Sequence, residues 1–476
     1  MAFLAAARRA CLGISAGSMA YIAYATTRDT PGFDPKGKKM VELMPNETSF
    51  LISNFFPSTT TVTFYEGKAP IEYLEKRVGD MVQANPWLGS RLMRYKGRNV
   101  LAYESAENGN KSSSVGVSSS IFQVIDESSS AERITMDTPY SEMAASLGRC
   151  IVPMGCDILG KDEPVFKVTV VKDETAPGER FAVVTSLLHI AGDGCTFYAV
   201  RNMIGSNSDV VTLNPERNMD FGAAHKQAIG GGEDKDTYFW KILPAHIFEA
   251  AKCKLLRRED AVDVVGFHVN DAWVRQRKES HKEKLTQSKE DAKASSAPLT
   301  PFVSTNDILT SWWFNYAETT IGLMACNMRG KLPKNICDFN DAGNYEQEML
   351  FCPADFETPS LVRHAVQNLR RSSSDPPTKL PTMWENMRRL RACYVTNWAS
   401  FYKDNVLEGC TQRLHLPLYD WSHGELDSTT RIAFIFRPNK DKLAILAAGT
   451  KDLALPSLLS DSTGPADVRN PLEMKS

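Results

Sequence analysis

Several features that usually announce a function are missing from this 476-residue chain. Its ten cysteines, at positions 11, 150, 156, 195, 253, 326, 337, 352, 393 and 410, contain no CxxC pair and no cluster with metal-ligand spacing. That pattern argues against a zinc or iron–sulfur site and reads as reduced, mainly buried thiols. Charge of one sign is also lacking: 55 Lys and Arg against 57 Asp and Glu leave a formal net charge of -2, without the basic footprint a nucleic-acid partner requires. No internal repeat is evident, which excludes solenoids and propellers. A run of Leu and Ile long enough to span a bilayer is absent too. The uncharged stretch 10–27 has about the needed length, yet carries Gly, Ser and Thr where a confident span would carry Leu and Ile. Around it stand Arg8, Arg9 and Arg28, with no acidic residue before Asp29. Residues 1–30 therefore read as a targeting or anchoring segment, with a membrane anchor, a cleaved secretory signal and an organelle presequence all open. The compartment stays undetermined by the sequence: membrane-associated or targeted through this segment, otherwise cytoplasmic.

What is present is an ordinary globular composition, 42% apolar and 24% charged, on a chain too long for one core. PIEYLEKRVGDMVQANPWLGSRLMRY (70–95) has helical apolar spacing through Met81 and Val82 and a stop at Asn85 and Pro86. ESAENGNKSSSVGVSS (104–119) is a polar low-complexity loop. EPVFKVTVVK and FAVVTSLLHI flank the turn signal DETAPGER and predict a hairpin of buried strands. Residues 205–302 read as a crossover between two halves. They include a core-facing helix interrupted by Pro244 in YFWKILPAHIFEAAKCKLLRR (238–258), whose aromatic face could instead lie on a membrane or cover a tunnel. A mixed-charge solvated helix follows at 272–300. In the second half, Ser304 or Thr305 caps a helix with Asp307 in its first turn, IGLMACNMRGKLP reads as a strand into a basic turn, and RIAFIFRPNKDKLAILAAG as a hairpin about Pro438 and Asn439. The expected organisation is an α/β protein: an N-terminal lobe at 31–204, the crossover at 205–302, a C-terminal lobe at 303–450 and a polar tail at 451–476.

Chemistry concentrates in TSLLHIAGDGC (185–195), where an apolar strand delivers His189 to a glycine-permitted turn. Asp193 and Gly194 follow at +4 and +5, the aspartate short enough to fix the turn or meet a distant cation.

HIAGDG (189–194) resembles the HxxxDG motif of the chloramphenicol acetyltransferase-like superfamily, which includes BAHD acyltransferases, condensation domains and wax-ester synthases. NPWLGSRL (85–92) is similar to that group's early segment. STNDILTSWWF, NMRGKLP and DAGNYE (341–346) resemble its path into the second lobe, and LPLYDWSHGEL (416–426) stands where BAHD enzymes carry DFGWG, keeping Asp420 and Gly424. The resemblance covers about residues 40–450. It implies two lobes, each a mixed sheet with helices, and a tunnel between them. It also implies an acyl-CoA-dependent acyltransferase that moves an acyl group from a thioester to an acceptor hydroxyl, an amine being the lesser expectation, with His189 as general base. Acyl-CoA would be a co-substrate, with no bound cofactor and no metal. The acceptor would be a small-molecule or lipid alcohol, and the protein a monomer with membrane association through residues 1–30. The resemblance makes Asp193, Gly194, Arg329, Asp420 and Gly424 structural, with a buried Asp193–Arg329 ion pair shaping the site. His423 is an extra, and its place between strands reads as a loop histidine. Two alternatives stand beside this expectation: a catalytically inactive lipid- or thioester-binding homologue, and a membrane-tethered wax-ester or diacylglycerol-type acyltransferase.

Overall fold

The computed structural model describes residues 29–49, 57–104, 118–125, 134–173, 175–176, 178–230, 235–255, 262–290, 300–371, 379–419, 429–461, 463–467 and 472. Its strands in chain order are β1 (Lys38–Glu42), β2 (Thr59–Glu66), β3 (Arg91–Tyr95), β4 (Arg98–Glu104), β5 (Phe122–Ile125), β6 (Phe166–Lys172), β7 (Arg180–Leu187), β8 (Val262–His268), β9 (Ile321–Asn327), β10 (Glu346–Phe351), β11 (Ala392–Asn397), β12 (Thr411–Pro417), β13 (Thr430–Asn439) and β14 (Lys442–Thr450). They form a small sheet β1-β4-β3 and two large mixed sheets, β12-β2-β7-β6-β5 and β10-β9-β11-β13-β14-β8. The fold is thus α/β, built on two sheets.

The first large sheet follows from its sequences. FKVTVVK and RFAVVTSL are β-branched and almost wholly buried, so both faces are covered and they pair as the expected antiparallel hairpin. TTTVTFYE joins them along β7, where Thr60 Oγ1 lies 2.8 Å from Ser186 Oγ and Thr63 Oγ1 lies 2.9 Å from His415 Nδ1. The helix Ile71–Ala84 buries Leu74, Val78 and Met81 and ends at Asn85, before Pro86 opens a short 3-10 turn.

The second sheet is parallel at its centre, β11 running beside β9 and β13, and antiparallel at both flanks. Ser304 caps the helix Thr305–Tyr316 in a full capping box with Asp307. One large apolar cluster fills the first lobe and continues onto Ile432, Phe434 and Leu446 of the second sheet; another packs the helix Thr305–Tyr316 against that sheet.

Sheet membership does not follow chain order at two points. β12, from the second half, pairs with β2 in the first sheet, and β8, from the crossover, completes the second sheet along β14. The hairpin turn also lies further on than expected: β13 runs through Asn439, and its register shifts between Phe436 and Asn439. That irregularity accommodates Pro438, which has no N–H to give a ladder. The helix Lys235–Leu255 is not interrupted, although Pro244 lies inside it. Pro244 has no N–H to give the carbonyl one turn earlier, so it removes one hydrogen bond of the helix without ending it. Tyr238, Phe239, Ile242 and Ala245 pack on Ile321, Leu323, Leu350 and Ala392 of the second sheet, while Trp240, Ile247 and Phe248 face outward. Among the described residues no helix is long and apolar enough to cross a membrane; residues 1–28 lie outside them.

Candidate active site between the two sheets

β7 ends at Leu187, and the chain turns sharply, Ala191 N–H donating to the Leu188 carbonyl. His189 stands in that turn with its side chain 13% exposed. Gly192 is required here, because a Cβ would come within 2.6 Å of Thr196 Cγ2. Asp193 then caps the helix Gly194–Asn202, its Oδ1 accepting from Thr196 N–H at 2.8 Å.

The other carboxylate oxygen reaches across the lobes. Arg329 Nη1 donates to Asp193 Oδ2 at 2.6 Å, and the two side chains are 0% and 1% exposed. Arg329 also donates to the carbonyls of Asp341 and Gly343 and to Thr196 Oγ1. Burial acts to lower its pKa, but the Asp193 carboxylate more than offsets this and the guanidinium is held above its ordinary value. Both Asp193 oxygens are thus engaged, one on the helix N-terminus and one on Arg329.

A second buried ion pair lies alongside, formed by residues for which no pattern in the sequence gives a signal. Arg217 Nε donates to Glu47 at 3.1 Å, both side chains being fully buried. Arg217 also holds the Ala191 and Ala342 carbonyls, while Glu47 accepts from the backbone N–H groups of Met44 and Asn344. Asn344 Nδ2 completes the clamp, donating to the His189 carbonyl at 2.7 Å and the Ile190 carbonyl at 3.2 Å. Gly343 sits in the middle at φ +136°, where a Cβ would lie 2.9 Å from Arg217 Nε. DAGNYE is therefore a clasp on the histidine turn, and its last residue, Glu346, places Oε1 3.8 Å from His189 Nε2.

His189 opens onto a cleft enclosing about 670 Å³, counted to its open mouth. The first lobe gives Pro57, Thr59, His189 and Gly194; the second gives Leu323, Ala325, Glu346, Glu348, Tyr394, Val395, Thr396, Trp398, Ile432 and Phe434, with Tyr419 just beyond β12. Trp398, Tyr419 and Phe434 form an aromatic wall, Trp398 meeting Phe434 edge-on with centroids 5.2 Å apart and Tyr419 stacking on Phe434 at 4.7 Å. Gly194 matters for this wall, since a Cβ there would meet Trp398 Nε1 at 3.2 Å.

Cys195 stands two residues after Asp193, and burial, reinforced by the Asp193 charge, pushes its thiol up to about 12. It is a neutral thiol at pH 7, not a nucleophilic thiolate. Among the described residues that line the cleft, His189, Glu346 and Glu348 carry groups able to take a proton. Asp420, His423 and Gly424 lie outside the described residues.

No protein-family model matches the chain, and no curated protein matches it in sequence. Solved structures do match. TRI101 of F. sporotrichioides, in complex with coenzyme A and T-2, superposes with a TM-score of 0.50 at 13% identity, over 89% of this chain and 97% of that one. Polyketide synthase associated protein 5 from Mycobacterium tuberculosis gives a TM-score of 0.48 at 12% identity, over 89% and 96%. By fold, this chain shares the two-lobed architecture of the F. sporotrichioides TRI101 structure, with His189 in the cleft where its sheets face one another.

Proposed function

We propose that the protein is an acyltransferase that moves an acyl group from a coenzyme A thioester to a hydroxyl or amine of an acceptor, with His189 as general base. The observation that carries this reading is the placement of one clamped imidazole in a two-sided apolar cleft between the lobes. The shared fold with a protein crystallised with coenzyme A and T-2 supports acyl-CoA as co-substrate and a small molecule as acceptor. His189 Nε2 takes the acceptor's proton as its nucleophilic atom attacks the thioester carbonyl, and the proton passes to the departing sulfur. The apolar walls keep bulk water from competing for the thioester. Asp193 and Arg329 hold the turn and do not touch the reacting atoms.

The test is thiol release from a panel of acyl-CoA donors and mixed acceptors. Wild type releases CoA in an acceptor-dependent way, and His189→Ala loses about 10²-fold or more of that turnover with an unchanged circular dichroism spectrum. Full turnover by the Ala variant would rule His189 out as the base.

A further inference from the structure

The helix Lys235–Leu255 covers the second sheet with one side and presents aromatic rings to solvent with the other. Among the described residues two tryptophans are mostly exposed, Trp240 at 63% and Trp384 at 68%, and they stand on neighbouring helices. The helix Met383–Arg389 joins the longer one at Tyr238, whose hydroxyl donates to the Pro381 carbonyl at 2.8 Å and accepts from Asn386 Nδ2 at 3.0 Å. Trp240 comes two residues after Tyr238 and Trp384 two before Asn386, about 200° round each helix from that joint. Both indoles therefore turn outward. Phe248, also exposed, follows Trp240 after about 12 Å of helix. A single exposed ring is ordinary on a protein surface, but three large ones on one helix pair mark a surface that something covers.

Two observations identify what covers it. The first is charge. Lys252 stands four residues after Phe248 and Arg388 four after Trp384, so each aromatic ring has an exposed cation one turn along the same face. Over the two helices Lys and Arg outnumber Asp and Glu six to three, on a chain whose formal net charge is -2. Of those acids, Glu249 lies 3.0 Å from Lys252, and Glu385 caps its own helix at Thr382. Aromatic bodies with long cationic stems beside them are the composition that settles at bilayer headgroups, rings at the interface and cations on the phosphates.

The second observation is where the rest of the chain joins. Met154 packs against the cluster under the helix Lys235–Leu255, and a Cβ at Gly160 would lie 3.1 Å from Thr30 Cγ2. The six residues from Met154 to Gly160 span at most about 20 Å. Residues 1–28, with Arg8, Arg9 and Arg28 and no acidic residue, thus join the described chain within about that distance of the cluster beneath Trp240.

We propose that this face lies on a bilayer surface that carries anionic lipid, with Trp240, Phe248 and Trp384 entering the headgroup region. The inner side of the same helix packs on Leu323 and Tyr394, which line the cleft. A bilayer seated on the outer side then stands about one helix diameter, 10–12 Å, from the cleft wall, and an amphiphilic substrate dissolved in it has a short path to His189. The docking holds whatever reaction the cleft performs.

The test titrates the full chain with vesicles of phosphatidylcholine alone and of phosphatidylcholine mixed with phosphatidylserine, binding being read by co-sedimentation. Wild type binds the mixed vesicles about tenfold or more tightly than the neutral ones, and added salt weakens that binding. Trp240→Ser combined with Trp384→Ser weakens it by about tenfold or more at an unchanged urea midpoint, since both side chains already face water in the folded protein. Vesicles with brominated acyl chains then show which face is inserted. Residues 1–28 contain no tryptophan, so quenching of tryptophan fluorescence reports on the folded body and not on that segment. Trp240→Phe combined with Trp384→Phe keeps the apolar surface, still binds, and loses most of the quenching, the other described tryptophans being buried or half-buried. An absence of binding to the mixed vesicles, an unchanged affinity in the Ser pair, or quenching that the Phe pair leaves intact overturns the proposal. A concentration-dependent dimer that the Ser pair abolishes, without vesicle binding, assigns the face to a second copy of the chain and overturns it equally.

Discussion

Replacing Asp193 by Asn separates a structural aspartate from a catalytic one. Asn keeps a side-chain oxygen, so the cap on the helix Gly194–Asn202 survives when that oxygen faces Thr196 N–H. Its NH₂ then faces Arg329 Nη1, donor against donor, where the carboxylate now accepts at 2.6 Å. Arg329 cannot escape to solvent, because its side chain is fully buried. Its contacts to the Asp341 and Gly343 carbonyls satisfy donors without neutralising charge. Leaving one partner of a buried pair charged and uncompensated costs about 3–5 kcal/mol, a large share of a typical stability of about 5–15 kcal/mol. Urea unfolding followed by fluorescence, alongside CoA-release turnover, reads both quantities. Asp193→Asn should lose stability in that range, and activity should fall with the folded fraction. Asp193→Asn combined with Arg329→Met should be less destabilised than the sum of the single variants, since the second change removes the stranded charge. An Asn variant within about 1 kcal/mol of wild type that is nonetheless inactive would refute this and assign Asp193 to the chemistry.

Two further outcomes follow from buried polar groups. His415 of β12 is enclosed by Tyr198, Thr63 and Arg201, and burial, aided by the Arg201 charge, holds its pKa well below 6.5. The folded state keeps it neutral while the unfolded chain protonates, so this contribution is complete above about pH 6.5 and is lost as pH falls, at about 1.4 kcal/mol per pH unit until the folded pKa is reached. His415→Gln should flatten the stability profile below pH 6.5 by one proton in a denaturation series; an unchanged slope would show that His415 is not the titrating group. Gly343→Ala forces a side chain onto φ +136° and against Arg217 and Glu47. It should cost at least about 2 kcal/mol in urea unfolding, and a loss below about 0.5 kcal/mol would mean the clasp gives way freely.

The hairpin β6–β7 was legible because its two runs are apolar, β-branched and separated by a dense turn signal, and each of those is a local property. The capping box at Ser304 and the stop at Asn85 are local in the same sense. β12 is different. Its strand character is visible in its residues, but its partner β2 lies about 350 positions earlier, and nothing local encodes that choice. The site divides along the same line. His189 stood out because a strand, a turn and a spacing converge on it. Glu47, Arg217, Asn344 and Glu346 are single polar residues in unremarkable contexts, and their role exists only once two lobes bring them to one place. Pro244 misled for a related reason: a proline removes one helical hydrogen bond, and whether the helix continues through it depends on the packing of the turns on either side, here Tyr238, Phe239, Ile242 and Ala245 on the second sheet.

What fixes the distance between the imidazole and the second lobe is then not the chain leading into His189 but the clasp across the cleft. The turn carrying His189 is gripped through its own carbonyl by Asn344, through Ala191 by Arg217 and through Asp193 by Arg329. Each of these reaches the segment 341–344 directly or belongs to it, and that segment runs without a break into Glu346 and β10. An apolar interface of similar size would tolerate sliding, since dispersion contacts are non-directional and nearly degenerate over small shifts. Two buried ion pairs with directed donors do not, because each displacement strands a charge. The polar network therefore sets the register of one lobe on the other, and with it the 3.8 Å spacing between His189 and Glu346 across the cleft.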